Sequence, residues 1–368
     1  MKRLLQFVGL ILAFILLLFG VNTYFNHRSG AATSDTLTIY NWGDYIDPDL
    51  ISAFEEEAGL KVVYETFDSN EAMYTKVQQG GTKYDIVVPS EYMIERMIEE
   101  ELLHPLDYTK IDGMEHLVPE FLDLAFDPGN QYSVPYFWGT LGIIYNDQLI
   151  EEDSITSWDD LWNENYSDRL MLIDGAREIM GLTLQSLGYS LNSKNQEELD
   201  EAEAKLSELA PNVKAIVADE IKMYMIQEEA PIAVTFSGEA ADMMWENENL
   251  HYVLPEEGSN LWFDNIVIPK TAQNLDGAHA FISFMLRPEN AAINAEYIGY
   301  SSPNLTAIEE YIDEEVVSDA QFYPDLEDVE ELEIYENLGL EYIGIYNDIF
   351  LEFLILPRLL NLDRIAHY

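Results

Sequence analysis

The sequence predicts an α/β protein built as two lobes, and three observations predict it. The chain has 368 residues, 48% of them apolar, enough for two ordinary domains with large cores. Its first soluble stretch reads β-α-β-α-β, the order that gives a parallel sheet with right-handed crossovers. No internal repeat and no low-complexity linker interrupts the remainder, which favours two lobes sharing chain crossings over separate beads.

The first 33 residues stand apart. Lys2 and Arg3 precede an apolar stretch from Leu4 to Val21, broken by Gln6, about the shortest length that spans a bilayer. The small residues Ser29, Gly30 and Ala31 could serve signal cleavage, but they lie well past the apolar core. The reading favours a retained anchor over a cleaved signal peptide, with the two basic residues inside and the acidic body outside.

From Thr36 to Tyr40 the pattern alternates as a strand does. Asp47-Pro48 reads as an N-cap with proline at the first helical position. Leu50, Ile51, Phe54 and Ala58 share one helical face, and Gly59 stops the helix. A strand over Leu60 to Phe67, a helix over Asn70 to Gln79 and a short apolar strand over Tyr84 to Val88 come next. A helix over Glu91 to Leu103 completes the set.

A second αβ region begins near Thr140. It holds a helix capped by Ser157, a strand over Met171 to Ile173 and a charged helix over Asn195 to Leu209. Strands over Pro231 to Phe236 and Trp262 to Ile268 come after it, then a helix from Gly277 to Leu286 stopped by Arg287-Pro288.

Composition excludes several functions. With 69 acidic and 18 basic residues the formal net charge is −51. That argues against nucleic acid and against anionic lipid. It favours cationic partners only weakly, because high charge also serves solubility. There is no cysteine, so disulfides, thiolate chemistry, Cys-ligated zinc and iron–sulfur clusters are out, as is a lipid-modified cysteine. Six scattered histidines form no HExxH pair, so no metal or other cofactor is expected.

Ligands in open α/β sheets bind beyond the carboxyl ends of strands. The residues just past each strand are therefore informative. Those positions carry Asn41-Trp42-Gly43-Asp44-Tyr45, Pro89-Ser90-Glu91-Tyr92, Asp174 with Glu178, and Phe236-Ser237-Gly238-Glu239; Trp262-Phe263-Asp264 lies within the last strand. Aromatic faces and carboxylates recur, and Arg177 is the one basic group in these loops. That combination suits a flexible organic cation. A ring face attracts an ammonium by roughly 0.5–2 kcal/mol, and a charged hydrogen bond adds about 1.5–3 kcal/mol. Each residue also has a plainer reading: a core tryptophan, Ser90 as a helix cap, Glu178 paired with Arg177, Asp264 satisfied at a strand end.

Several segments resemble those of the bacterial spermidine/putrescine-binding proteins, a branch of the periplasmic binding proteins with the two-lobe, type II fold. They include Ile39-Tyr40-Asn41-Trp42, Phe67-Asp68-Ser69-Asn70-Glu71-Ala72-Met73-Tyr74, Tyr84-Asp85-Ile86-Val87-Val88-Pro89-Ser90 and Val134-Pro135-Tyr136-Phe137-Trp138-Gly139-Thr140. Ala176-Arg177-Glu178, Leu261-Trp262-Phe263-Asp264 and Ile298-Gly299-Tyr300-Ser301-Ser302-Pro303-Asn304 continue the likeness, which spans roughly residues 36 to 350.

The resemblance implies an extracellular receptor that hands a polyamine to the permease subunits of an ABC transporter, acting as a monomer and not as an enzyme. It implies an aromatic box of Trp42, Tyr45, Tyr92 and Trp262. Glu178 would hold one terminal ammonium, Asp264 an inner or second one, and Ser90 would supply a hydroxyl. A box tryptophan of the family falls on Phe236. A second acid falls on Gly175, with Asp174 one position earlier, and a glutamine falls near Tyr335. The lobes would hold 34–139 with 264–308, and 140–263 with 309–368. The tail from Phe353 to Tyr368 is unlike the family's usual basic ending.

Two rival readings use the same residues. One is an anchored glycosidase with two carboxylates in an aromatic cleft, one acid having a raised pKa. The other is the same fold holding a metal complex, a sugar or an amino acid. A polyamine receptor needs both acids ionised, so affinity should fall with acid around and below roughly pH 4.

Overall fold

The computed structural model describes residues 35–150, 155–218, 220–319, 322–323 and 332–366. The anchor expected over 1–33 lies outside the described residues. Among these residues, no helix is long and apolar enough to cross a membrane.

The first half keeps the predicted order. Strand β1 (Thr36–Trp42), helix α1 (Pro48–Ala58), β2 (Lys61–Phe67), α2 (Asn70–Gln79), β3 (Ile86–Val87) and α3 (Glu91–Glu99) appear in turn. The Asp47 side chain accepts the Asp49 N–H at 2.8 Å, and Gly59 and Gly80 end their helices with positive φ. Helix α3 stops four residues before the expected Leu103. Leu102 N–H reaches back to Met97 O and Glu101 N–H to Ile98 O, with Glu101 in the left-handed region at φ 57°. This is a Schellman closure without glycine.

Next come β4 (Ser133–Asn146), β5 (Leu170–Ile173), α4 (Ala176–Gln185), α5 (Gln196–Leu209), β6 (Val213–Val217), α6 (Glu220–Ile226), β7 (Ile232–Phe236), α7 (Ser237–Glu246), β8 (Leu250–Val253) and β9 (Ser259–Val267). The remainder is α8 (Leu275–Met285), α9 (Pro288–Ile298), α10 (Leu305–Glu310), α11 (Glu314–Val317), β10 (Leu332–Glu333) and α12 (Gly339–Ala366). Ser157 does cap its segment, but the turns over Trp158–Trp162 are 3₁₀ rather than α.

The sheet runs β2-β1-β3-β9-β4-β7-β5-β6, with β8 on β4 and β10 on β9. The first three strands are parallel, as predicted. β9 is antiparallel to both β3 and β4, so the sheet as a whole is mixed. All 14 residues of β4 are buried, which removes the alternation a half-exposed strand would show. Pro135 sits where the register shifts, a position that tolerates a missing N–H.

Hydrophobic packing divides between the two ends of this sheet. One group of side chains, including Leu37, Phe54, Ile86, Phe137 and Ile282, fills the β1–β3 end. Another, including Trp158, Leu172, Leu206, Ile232 and Phe350, fills the β5–β7 end. Phe236 packs against both. The long antiparallel pair β4–β9 connects the ends, and the register sets Phe137 opposite Asp264 and Gly139 opposite Trp262.

Candidate functional site

Asp264 has the most developed surroundings. It lies inside β9, 5% exposed, and pairs across an isolated bridge with Ser90 at the start of α3. Ser90 Oγ donates to its Oδ1 and Tyr45 Oη to its Oδ2, both at 2.6 Å. Asn70 completes the arrangement: its Nδ2 donates to Ser90 Oγ at 3.0 Å, and its Oδ1 accepts the Ser90 N–H at 3.1 Å. Ser90 occupies the N-cap position, yet its hydroxyl makes no cap bond. The plain capping reading is thereby replaced by a link to Asp264.

Tyr45, which bonds this carboxyl, belongs to a group of rings. Tyr45 meets Tyr300 at 5.5 Å and Phe137 at 5.2 Å, both edge to face. Trp262 meets Tyr300 at 5.1 Å and Phe236 at 6.0 Å, again near perpendicular. Two glycines make room. A Cβ on Gly139 would sit 2.5 Å from Trp262 Cζ2, and one on Gly238 would collide with the Tyr300 ring. Trp42, half-buried at the end of β1, packs on Phe67 at 4.5 Å.

A second group gathers at the start of α4. The carboxyl of Glu178, in the first helical turn, feels the positive charge of Arg177 and the negative charge of Glu71. It folds back over Gly175, where any side chain would collide with it. The position at which the resemblance expects a second acid must therefore stay bare for Glu178 to take this pose. Tyr92 donates to Glu71 Oε1 at 3.3 Å and stands edge-on to Tyr335 at 6.3 Å. Arg177 does not pair with Glu178. Its guanidinium donates to Asn192 Oδ1 at 2.7 Å and to Glu336 O at 3.0 Å, and lies 4.4 Å from the Tyr335 ring centre.

Of the residues singled out in the sequence, Tyr45, Ser90, Trp262, Asp264 and Phe236 form the first group. Tyr92, Glu178 and Tyr335 form the second. Asp174 is exposed, and no described contact joins it to either. Sequence reasoning did not single out Asn70, Glu71, Tyr300 or Glu91. Each lies in or beside a segment that carries the family likeness, but its role depends on a partner far along the chain. Glu91 Oε2 accepts the Phe263 N–H at 2.9 Å. Several buried polar atoms here have no partner in the protein: Trp42 Nε1, Trp262 Nε1, Tyr335 Oη, Arg177 Nε and Glu91 Oε1.

Burial governs the electrostatics. It pushes Asp264 up to about 6, although the Ser90 and Tyr45 hydrogen bonds pull the other way. It also raises Glu178, and it lifts Glu91 to about 8. Burial, and then the Asp264 charge, holds the Tyr45 hydroxyl well above its ordinary value, so it donates. Asp264 thus lies above the ordinary carboxylate range from which the pH window near 4 was expected, with burial as the cause. Cys is absent, and among the described residues no group of three His, Asp or Glu could hold a metal.

The family model of bacterial extracellular solute-binding proteins matches residues 49–324. The spermidine/putrescine-binding periplasmic protein of Salmonella typhimurium is 39% identical over 311 residues, covering 84% of this chain and 89% of that protein. The putrescine-binding periplasmic protein PotF of Escherichia coli is 32% identical, covering 75% and 80%. Among solved structures, a putative spermidine/putrescine ABC transporter from Listeria monocytogenes superimposes with a TM-score of 0.83 at 59% identity, covering 87% of this chain and 98% of that one. The spermidine/putrescine substrate-binding protein PotD of Streptococcus pneumoniae gives 0.80 at 60% identity, covering 88% and 99%. The fold is that of a periplasmic binding protein.

Proposed function

The chain belongs to the bacterial extracellular solute-binding protein family, and from that premise we propose that it captures spermidine or putrescine outside the cytoplasm and delivers it to an ABC importer. It is a substrate-binding transport protein, as its relatives are, and not an enzyme. The observation that carries the ligand reading is two carboxyls with aromatic neighbours: Asp264, bonded by Tyr45, and Glu178, close enough to act on Tyr92 and Tyr335. The nearby cation, Arg177, is already held by Asn192, Glu336 and Tyr335. An amino acid or other anion would want a free cation, and this site offers none among the described residues. A linear diamine or triamine would pair its ammonium groups with these acids and rest its methylenes on the neighbouring rings.

Two lobes, 34–139 with 264–308 and 140–263 with 309–368, would close on the ligand as a monomer. The segment 1–33 would tether the receptor to the outer face of the membrane. Raised carboxyls alone would also suit a glycosidase acid. Here they arise from burial, and a bound ammonium would lower them again by charge pairing. Calorimetry with spermidine, putrescine, amino acids and oligosaccharides tests the proposal. One-to-one heat with a polyamine and none with the others is expected. Heat only with an amino acid or a sugar, or turnover of an oligosaccharide, would overturn it.

A further inference from the structure

Tyr45 holds one oxygen of Asp264, yet it lies between β1 and α1 and belongs to neither. It follows Asp44, whose φ of 48° is left-handed without glycine. Such a turn persists only where its surroundings fix it. Two buried side chains do so. Asn294, in α9, accepts the Asp47 N–H on Oδ1 at 2.9 Å and donates from Nδ2 to Tyr136 Oη at 2.9 Å. Tyr136 Oη in turn donates to Tyr45 O at 2.7 Å. One asparagine thus fixes Asp47 directly and Tyr45 through a hydroxyl, on either side of Ile46.

β4 is bent where it supplies that hydroxyl. Its register with β9 passes from Pro135 opposite Asn265 to Phe137 opposite Asp264, and skips Tyr136. An extra residue in a strand re-aims a side chain, and such bulges gather beside sites. Burial holds the Tyr136 hydroxyl well above its ordinary value, so it keeps its proton and donates. Helix α9 then ends at Gly299 and leads into Tyr300, whose ring meets Tyr45 at 5.5 Å.

Resting on the polyamine reading, we infer that Asn294 is a positioning residue for ligand binding: through Tyr136 and the Asp47 N–H it holds the Tyr45 hydroxyl on Asp264, and so prepares that carboxyl for an ammonium. Asn294 acts through these bonds and not by touching the ligand. Burial raises Asp264, and its Ser90 and Tyr45 bonds draw it back. Releasing the Tyr45 segment weakens one of those bonds, so the acid takes up its proton at higher pH. The groups about Asp264 are Ser90 and Tyr45, which bond it, and Glu91 and Tyr136, whose ionisation its charge opposes; Tyr300 acts on Tyr45.

The test is calorimetry with putrescine and spermidine on the full chain across the acid fall in affinity. It compares wild type with Asn294→Ala, Tyr136→Phe, Tyr45→Phe and the double variant of Asn294→Ala with Tyr45→Phe. Asn290→Ala is the control: Asn290 lies on the same helix but donates to Phe284 O at 2.8 Å. We expect the midpoint of the acid fall to move up by roughly half a pH unit in each of the first three variants, and no further in the double. Asn290→Ala should melt earlier with its midpoint in place. Tyr136→Phe keeps the ring and removes one hydroxyl, so it serves if Asn294→Ala does not fold. An unmoved midpoint in Asn294→Ala, or in Tyr136→Phe should Asn294→Ala not fold, overturns the inference, as does an equal shift in Asn290→Ala. If wild type binds neither polyamine, the polyamine reading falls and the inference with it.

Discussion

The two ends of the proposed cleft are built differently. At one end, Asp264 is fixed by strand register, and both its oxygens are already held, by Tyr45 and Ser90. Behind it, Asn70 fixes Ser90 through two hydrogen bonds. At the other end, Glu178 rests over a bare glycine near the rings of Tyr92, from α3, and Tyr335, after β10, and no described side-chain hydrogen bond holds its carboxyl. The contrast teaches that one carboxyl is pre-organised by side-chain donors, with its reorganisation cost met by folding, while the other has no such donor among the described residues. Binding energy per contact should be larger where nothing has to be ordered.

The largest expected effect is at the pre-organised end. Asp264→Asn removes a desolvated charge facing an ammonium and should weaken polyamine binding by about 2–5 kcal/mol. Titration calorimetry reads this directly, and a loss below threefold would break the assignment. Trp262→Ala, at the same end, should cost about 2 kcal/mol through the lost ring face. Both losses should persist in high salt, because salt screens a desolvated charge pair little. Glu178→Gln should weaken binding by roughly tenfold, the lower end for a charged hydrogen bond. If it costs as much as Asp264→Asn, the two ends are equally pre-organised and the comparison fails.

The smallest graded effect is that of pH. Asp264 titrates at about 6 in the protein alone, and a bound ammonium lowers that value. Affinity should be level above pH 7 and fall about tenfold between pH 7 and pH 5, as one proton competes with the ligand. The stability of the protein alone runs the other way. A carboxyl raised above its unfolded value near 4 stabilises the fold as pH drops from above 6 toward 4. Thermal melts from pH 8 to 5 should therefore show the ligand-induced shift shrinking with acid. A shift unchanged across that range would exclude Asp264 from the site.

How far the sequence reached can be seen at particular positions. Caps and stops were legible because they are local: Asp47-Pro48, Gly59 and Gly80 each act within four residues. The end of α3 was not, because Glu101 takes a left-handed conformation that sequence assigns to glycine or asparagine. β4 carries no period because both its faces are buried. Of the candidate site, Ser90 and Glu178 were recognisable by type and by position after strands, and Trp262 and Asp264 by type within the last strand. Asp174, read from the sequence as lying one position before the family's second acid, is exposed in the structure.

The sequence by itself determined the chemistry on offer: carboxylates and rings after strands, hardly any basic group beside them, and neither cysteine nor a histidine pair. Only the tertiary structure decided which of these meet. Tyr45 and Asp264 are 219 residues apart and bond at 2.6 Å, and Glu91 reaches Phe263 across 172. Burial, which exists only once the chain is folded, then set the protonation of the acids. A residue's type fixes what it can donate or accept, whereas its partners and its dielectric surroundings arise from contacts between distant parts of the chain.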